Sequence, residues 1–283
     1  MPLPRIACVS GCSSGLGRAL VAQLAARGDL VYGGVRDPAD GPRLPDGVRP
    51  LPVDVTRPDQ VAAAIETIER NSGRLDLLIS NAGAYAAGPW EVVPDDVLRR
   101  LFDVNFFGAV QLARAVLPLM RRQGGGRIVV VSSLSGLVGL PADGPYAASK
   151  FALEAFAESL SYEVRRWNIR VTIVNPGGYA TQLMRRAWRP TTGVTGPYAP
   201  LLARLPAQAG SGSPEQAAAA IIAVADASDG PLRHSLDATG RGVFRVLGID
   251  AQAEREALVR GASGFAWWID GQAAPPDTDP AAG

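Results

Sequence analysis

The chain has 283 residues, 47% of them hydrophobic, which suits one large α/β domain with a substantial core. Its net charge of +1 and charged fraction of 19% exclude the strongly basic surface of a nucleic-acid-binding protein. No apolar stretch is long enough to span a membrane, and the first residues lack a signal-peptide pattern. We therefore expect a cytoplasmic protein whose two cysteines, Cys8 and Cys12, are reduced.

Short β-branched runs alternate with longer helical patterns along the first two thirds of the chain. The predicted strands are Arg5–Ser10, Leu30–Val35, Val48–Val53, Leu75–Ser80, Arg127–Ser132 and Ile169–Asn175. The predicted helices are Leu16–Arg27, Pro58–Ser72, Pro94–Gln123, which divides near Val104, and Pro145–Trp167. Because strands separated by helices form βαβ units, we predict an α/β fold with a Rossmann-type, doubly wound parallel sheet.

The pattern loosens after Gly177. Residues 179–212 are rich in Pro, Gly and Thr, which predicts a substrate-binding loop or lid. Beyond it the sequence predicts a helix capped by Ser213, with Pro214 in its first turn, then a strand and a final helix, at Leu232–Leu236 and Ala251–Arg260. We expect a single domain over residues 1–270 and a flexible tail over residues 271–283.

A glycine-rich turn joins the first predicted strand to the first helix. Its glycines let the backbone bend tightly and approach a pyrophosphate, while the helix N-terminus favours an anion. The turn therefore predicts a nucleotide site made by Gly11, Ser13, Ser14, Gly15, Leu16 and Gly17.

The end of the second strand favours NADP(H) over NAD(H). NAD sites place an acid there, whereas NADP sites prefer an arginine beside the 2′-phosphate. Val35 stands at the position of the acid and Arg36 follows it, with Ser13 able to add a hydroxyl from the turn. The alternative is that Arg36 is a solvated strand-end residue, and Asp37 could neutralise part of its charge.

Tyr146 and Lys150 lie one turn apart on the same face of a predicted helix. A free tyrosine has a pKa of about 10, and a nearby ammonium favours the phenolate, which would bring Tyr146 toward a useful range for proton transfer. Lys150 is also the only lysine among 28 basic residues, which indicates a position where a guanidinium does not serve.

Two further polar residues complete this candidate centre. Ser133 follows a predicted buried strand, at the sheet edge where ligands bind, and could hold a substrate oxygen beside Tyr146; Ser132 and Ser135 compete for that role. Asn105 lies in an apolar helical run, so it is either a structural hydrogen-bond partner or part of a water-linked proton relay. The single histidine leaves little material for a metal cluster or a Ser/His/Asp triad.

Together these motifs resemble the standard short-chain dehydrogenase/reductase family, closely over residues 4–180 and loosely over 181–265. The matching positions are Gly11–Gly17, Asp54-Val55, Asn81-Ala82-Gly83, Asn105, Ser133, Tyr146-x-x-x-Lys150 and Pro176-Gly177 followed by Thr181. Ser10–Gly17, Val31–Asp37 and Tyr146–Glu154 are most similar to the 17β-hydroxysteroid and retinol dehydrogenase-like branch. One departure is Ser10, where the family usually has threonine.

The resemblance implies a role for each matching residue. Tyr146 would transfer the proton, Lys150 would lower its pKa and bind the nicotinamide ribose, Ser133 would polarise the carbonyl and Asn105 would anchor a relay water. Asp54 and Val55 would contact the adenine, Asn81 and Gly83 the adenosine ribose side and Thr181 the carboxamide, with Ala82, Pro176 and Gly177 completing the cofactor site. The family also implies a homodimer or homotetramer built on the helices at Val104–Gln123 and Pro145–Trp167.

These observations favour an NADP(H)-dependent oxidoreductase that acts on a small-molecule ketone or secondary alcohol, with reduction as the favoured direction. Steroid, retinoid, fatty acyl, polyketide and sugar carbonyls all fit. One alternative is a non-catalytic NADP-binding sensor or scaffold, and another is an epimerase or dehydratase, which usually has an added substrate domain. In the predicted lid, Met184–Arg189 either recruits an acidic carrier or anionic substrate or forms a solvated helix turn.

Overall fold

The computed structural model describes residues 4–179, 182–190, 196–203, 212–263 and 265–273. Its strands are β1 (Ile6–Val9), β2 (Leu30–Val35), β3 (Val48–Pro52), β4 (Leu77–Ser80), β5 (Gly126–Val131), β6 (Ile169–Asn175) and β7 (Arg233–Ser235). Its α-helices are α1 (Gly15–Ala26), α2 (Pro58–Ser72), α3 (Asp95–Phe102), α4 (Gly108–Arg122), α5 (Gly144–Val164), α6 (Gln182–Arg185), α7 (Ala199–Leu202), α8 (Pro214–Asp226), α9 (Ala238–Val246), α10 (Gln252–Ser263) and α11 (Ala266–Ile269). Each predicted strand is present, with bounds that differ from the prediction by two residues at most.

The strands form one parallel sheet in the order β3-β2-β1-β4-β5-β6-β7. The chain winds from β1 out to β3 on one side, then returns to place β4 on the other side of β1. This reversal opens a crevice at the carboxyl ends of β1 and β4, where sheets of this kind bind ligands. The predicted single-domain, doubly wound Rossmann-type fold is confirmed.

Two hydrophobic cores cover the two faces of the sheet. Along β1, Ile6 and Cys8 join the core beneath α2, α4 and α5, whereas Ala7 and Val9 join the core beneath α1 and α8. Burial on both faces explains why the strands read as nearly continuous apolar runs. Cys8 and Cys12 are both buried and unpaired, and burial raises the pKa of Cys8 to about 12, so its thiol stays protonated.

The chain between α3 and α4 forms one π-helical turn, Asp103–Phe107. A π turn inserts a residue and rotates the helix that follows it. Here the insertion turns Asn105 inward until only 1% of it is exposed. The predicted division of this helical region near Val104 is confirmed, and its physical cause is this turn.

Helix ends follow local chemistry in some places and tertiary packing in others. The Ser213 hydroxyl accepts hydrogen bonds from the backbone N–H groups of Glu215 and Gln216, so the predicted start of α8 is confirmed. Helix α9 is not predicted by the sequence pattern, because glycines such as Gly240 lower helix propensity. Its start is fixed by Asp237, whose side chain accepts from the Gly240 N–H at 2.7 Å.

The last third of the chain agrees only in part with its sequence pattern. Within the predicted lid, the described residues include the single turns α6 and α7. The predicted final helix is present as α10, three residues longer at its end than expected. Residues 274–283 of the predicted tail lie outside the described residues. Among the helices that the structure describes, none combines the length and the apolar character needed to cross a bilayer.

Candidate active site

The glycine turn after β1 forms a cradle for an anion. Gly11 and Gly15 have φ angles of +73° and +55°, which side chains rarely tolerate. A Cβ on Gly17 would lie only 2.2 Å from the Gly11 carbonyl oxygen, so the turn packs tightly against α1. Helix α1 begins without a side-chain cap from Ser14 and without an acid in its first turn, which leaves its first N–H groups for a ligand. These residues fit a pyrophosphate.

Ser10 joins the carboxyl ends of β1 and β4. Its hydroxyl accepts hydrogen bonds from the backbone N–H groups of Asn81 and Ala82, both at 2.9 Å. The Asn81 side chain donates in return to the Ser10 carbonyl at 2.9 Å. A hydroxyl alone makes these bonds, so serine serves at this position as a threonine would. Gly83 follows directly and lies close to the Asn105 side chain.

Arg36 is exposed at the end of β2 and, within the part of the chain that the structure describes, forms no hydrogen bond or ion pair. Asp37 is engaged elsewhere, because its carboxylate accepts from the Ala39 N–H at 2.9 Å. The expected neutralisation of Arg36 by Asp37 is therefore absent from the described contacts. At the end of β3, Asp54 accepts from the N–H and hydroxyl of Thr56, and Val55 is buried against α4.

Tyr146 and Lys150 lie in the first turns of α5, exposed by only 5% and 4%. The Lys150 ammonium donates to the Val131 carbonyl, the last residue of β5, at 2.9 Å, and lies 5.8 Å from the centre of the Tyr146 ring. Ser133 follows β5 in extended conformation, with its hydroxyl accepting from the Ser135 N–H at 3.1 Å. Ser133, Tyr146 and Lys150 are therefore brought together at the carboxyl end of β5.

Burial has the largest effect on the pKa values of Tyr146 and Lys150. Burial raises the pKa of Tyr146 well above its usual value, hydrogen bonding with Ser133 lowers it, and the charge of Asp143 raises it. Burial likewise lowers the pKa of Lys150 to about 8, against an opposing effect of Glu154. The lowering of the Tyr146 pKa by Lys150 stays a prediction, since the ammonium is bonded to Val131 rather than to the phenol.

Asn105 clamps α5 to the loop after β4. Its carbonyl oxygen accepts from the Ala84 N–H at 2.7 Å, and its amide donates to the Ala84 carbonyl at 3.0 Å and to the Ser149 hydroxyl at 2.9 Å. Ser149 in turn donates to the Tyr146 carbonyl at 2.7 Å. These bonds satisfy the buried amide, as the structural alternative requires. The anchoring of a relay water by Asn105 stays a prediction.

The family model of the short chain dehydrogenases matches residues 5–191, about two thirds of the chain. The chain belongs to the short-chain dehydrogenase family. The resemblance inferred from its motifs is thereby confirmed: the chain belongs to an oxidoreductase family whose members bind nicotinamide cofactors.

Curated relatives lie within the expected branch of the family. The chain is 40% identical over 178 residues to 3-ketodihydrosphingosine reductase from Bacteroides thetaiotaomicron, covering 63% of this chain and 65% of the relative. It is 40% identical to retinol dehydrogenase 8 from Bos taurus (63% and 60% covered) and 36% identical to human 17-beta-hydroxysteroid dehydrogenase type 1 (63% and 58%). The matched segment thus spans less than two thirds of the length of each of these relatives.

Solved short-chain dehydrogenases resemble the chain over nearly its whole length. One from Streptomyces avermitilis is 31% identical, covers 93% of this chain and 99% of its own, and superposes with a TM-score of 0.75. Another, from Burkholderia cenocepacia J2315 and solved in complex with NADP, is 28% identical, covers 90% and 97%, and gives a TM-score of 0.71.

Two residues of this short-chain dehydrogenase site are not predicted from the sequence, Tyr85 and Asp143. The Tyr85 ring packs edge-on against Tyr146, with centroids 4.6 Å apart, and its hydroxyl donates to the Asp143 carboxylate at 2.9 Å. Burial raises the pKa of Asp143, while hydrogen bonds from Ser135 and Tyr85 lower it. The available signal was position, since Asp143 precedes Tyr146 by three residues and Tyr85 follows Asn81-Ala82-Gly83 closely.

Two described residues of the segment after β6, Trp188 and Arg189, lie beside this site. Trp188 forms a backbone bridge with Ala86 and packs in an apolar cluster with Leu101 and Tyr146. Arg189, next to it, is half-buried. Burial and the charge of Asp143 raise the pKa of Tyr85, and the charge of Arg189 opposes that rise. The predicted basic stretch is therefore only partly a solvated surface.

Pro176 and Gly177 directly follow the last residue of β6, and their contact with a cofactor stays a prediction. The Pro176 carbonyl accepts from the Leu134 N–H at 3.2 Å, beside Ser133. The Gly177 N–H donates to the Asp237 carboxylate at 3.2 Å. Thr181, the predicted carboxamide contact, lies outside the described residues.

Proposed function

We propose that this short-chain dehydrogenase is an NADP(H)-dependent ketoreductase in which Tyr146 is the general acid, and the general base in the reverse direction. The observation that carries this proposal is the convergence of the half-buried Ser133 with the buried Tyr146 and Lys150 at the carboxyl end of β5. The glycine turn lies two strands away along the same edge of the sheet.

The chemistry divides between the cofactor and the protein. When bound, NADPH supplies the hydride. The chain supplies a proton from the Tyr146 hydroxyl to the carbonyl oxygen, and a second hydrogen bond from Ser133 as negative charge develops on that oxygen. Lys150 places a positive charge beside Tyr146 and Ser133. Burial of the site strengthens the electrostatic interactions of this charge. The turn from Gly11 to Gly17 would hold the pyrophosphate.

Arg36 supports the choice of NADP(H). Its guanidinium forms no hydrogen bond or ion pair with the described residues, which leaves its donors available to a 2′-phosphate. The complex of the Burkholderia relative with NADP is consistent with this assignment. The test compares NADPH and NADH affinities in Arg36→Ala and in a control, Arg57→Ala, whose exposed guanidinium pairs with Asp59. We expect about a tenfold loss of NADPH affinity only in Arg36→Ala; an unchanged preference would overturn the cofactor assignment.

The cluster beside Tyr146 favours an apolar carbonyl substrate. Trp188, from the segment after β6, and Leu101, on α3, pack in one apolar cluster with the tyrosine. Relatives named for retinol, 17-beta-hydroxysteroids and 3-ketodihydrosphingosine are consistent with a substrate of this kind. We therefore propose a bulky, largely apolar ketone or secondary alcohol.

Turnover in a Tyr146→Phe variant tests the proposed function. We expect a loss of about a thousandfold or more in kcat with a panel of apolar ketones and NADPH, with NADPH binding largely kept. Tyr162→Phe is the matched control, because Tyr162 is also buried on α5 and its hydroxyl has no partner among the described residues. Full activity of the Tyr146→Phe variant would contradict the proposed function. If the wild type oxidised no NADPH with any ketone of the panel, a sensor or scaffold would be favoured instead.

We also propose the homodimer or homotetramer that the family implies. Phe107, beside α4, and Phe151, on α5, are exposed by 49% and 45%, as apolar residues of a helix-pairing face would be in one chain. Light scattering on Phe151→Asp should show smaller particles than on the wild type; an unchanged mass would exclude this face.

A further inference from the structure

A buried carboxylate, Glu154, lies one helical turn beyond Lys150 on the same face of α5. Only 4% of Glu154 is exposed, yet both of its oxygens are bonded. One accepts from the Asn175 amide at 2.6 Å, and the other accepts from the Arg233 guanidinium at 2.8 Å. Buried ion pairs seldom repay their desolvation in stability, so this pair calls for another explanation.

Asn175 links Glu154 to the catalytic strand end. Its amide nitrogen donates both to Glu154 and, at 3.1 Å, to the backbone carbonyl of Ser133. Asn175 is the last residue of β6 and is completely buried. The place of Glu154 therefore sets the place of Asn175, and Asn175 restrains the backbone that presents the Ser133 hydroxyl.

Arg233 anchors the carboxylate from the far side. It comes from the start of β7, is 6% exposed, and bonds both Glu154 and Glu158, the latter at 2.9 Å. This contact ties the last strand of the sheet to α5. The charged and titratable groups around Glu154 are Lys150 and Glu158 on α5 and Arg233 on β7. More distant are Arg255 on α10, which pairs with Glu158, and Tyr162 on α5, whose pKa responds to the charges of Glu158 and Arg233.

We propose that Glu154 is a positioning residue of the active site, which fixes Ser133 through Asn175 and places a negative charge behind Lys150. The inference rests on the proposed function, because it assigns Glu154 a part in the chemistry of Ser133 and Lys150. Burial lowers the pKa of Lys150 to about 8, and the Glu154 charge opposes that fall. The charge of Glu154 thus favours the protonated form of Lys150.

The sign of the pH effect follows from these groups. Ketone reduction needs a charged Lys150, so its rate falls as pH rises through about 8, where Lys150 loses its proton. Tyr146 deprotonates later, because burial raises its pKa. Removing the negative charge of Glu154 lowers the pKa of Lys150 further, which moves this loss of activity to lower pH.

The experiment measures kcat/KM for ketone reduction with NADPH from about pH 6 to about pH 9 in three single variants. In Glu154→Gln, which keeps an acceptor for Asn175, we expect the basic limb to move to lower pH, with activity about threefold below wild type at pH 8 and nearly equal at pH 6. In Asn175→Ala we expect about a tenfold lower kcat with an unmoved limb. Glu158→Gln, the matched control, should show neither effect.

Other results separate this inference from the proposed function. If the Glu154→Gln variant folds and keeps the wild-type pH profile and kcat, the inference is overturned, even if the melting temperature of the variant is lower. In that case the proposed function still stands as long as the Tyr146→Phe variant is inactive. An active Tyr146→Phe would instead overturn the proposed function. If Glu154→Gln fails to fold, Glu154→Gln combined with Arg233→Gln removes both buried charges. A smaller shift in the same direction is expected there, because the loss of the Arg233 charge offsets part of the loss of the Glu154 charge at Lys150. An unmoved limb, or one that moves to higher pH, would overturn the inference.

Discussion

The end of β5 with the start of α5 (residues 131–154) and the segment after β6 (residues 179–212) both contribute to the site, but they are held in different ways. In the first region, Lys150, Ser149 and Glu154 are buried and bonded to partners on other elements. In the second, the described residues form single helical turns, two isolated backbone bridges and an exposed pair, Tyr198 with Glu91. Under the proposed function, the chemistry lies at the buried and bonded sheet edge, whereas the described residues of the second region, which would contact the substrate, are held mainly by local turns and isolated bridges.

Of the predicted effects, the largest is the loss of kcat expected on substitution of Lys150. In Lys150→Met we expect kcat to fall by about a hundredfold or more, because the buried positive charge beside Tyr146 is lost. Lys150→Arg should be impaired almost as strongly, since a planar guanidinium cannot take the place of a compact ammonium against the Val131 carbonyl. Steady-state kinetics measure both, and wild-type turnover in the arginine variant would contradict the role of the lone lysine.

A second effect concerns the stability of the rigid edge. Ser10→Ala leaves two buried N–H groups, those of Asn81 and Ala82, without their acceptor, so we expect the free energy of unfolding to fall by about 2 kcal/mol. Ser132→Ala is the matched control, because Ser132 is also a buried strand-end serine but its hydroxyl has no partner among the described residues. Urea unfolding compares the two. Equal losses would show that the Ser10 bonds do not matter.

A third effect concerns the proton-transfer step itself. The Asp143 charge raises the pKa of Tyr146, so Asp143→Asn should lower it and move the rise in alcohol oxidation, which needs the phenolate, to lower pH. Just below the wild-type limb we expect oxidation to be about two- to threefold faster. The pH profile of kcat for oxidation measures this, with Tyr85→Phe as the control that removes one hydrogen bond to Asp143 and leaves its charge. A shift of the rise in alcohol oxidation to higher pH in Asp143→Asn would contradict the effect assigned to the Asp143 charge.

The smallest effect is expected in the segment after β6. Glu91→Gln removes the charge from the exposed bond with Tyr198, and contacts of this kind contribute little to stability. We expect the melting temperature to change by less than about 1 °C, whereas KM for a bulky ketone should change about twofold if this contact restrains the segment. Differential scanning fluorimetry and kinetics give both numbers. A large fall in melting temperature would show that the segment is held as firmly as the sheet edge.

Sequence patterns predicted much of the fold because strands, helix starts and the glycine turn depend mainly on residues close together in the chain. Hydrophobic runs located the strands, Ser213 and Pro214 located the start of α8, and the glycine spacing located the anion cradle. Helix α9 escaped prediction because its glycines weaken the helical signal, and its start depends on Asp237 and on the burial of Phe244. Propensity is a weak guide wherever tertiary contacts decide the outcome.

The sequence by itself determined the family, the Rossmann-type sheet and the placement of Ser133, Tyr146 and Lys150, because strand ends and helical spacing bring such residues to one edge. The burial and the hydrogen-bond partners of these residues became known only from the tertiary structure. It showed that Asn105 is bound to Ala84 and Ser149, that Asp143 reaches Tyr146 through Tyr85, and that Glu154 is tied to Ser133 through Asn175. The physical reason is that burial and partner identity depend on residues far apart in the chain, and these set pKa values and orientation, which sequence spacing does not encode.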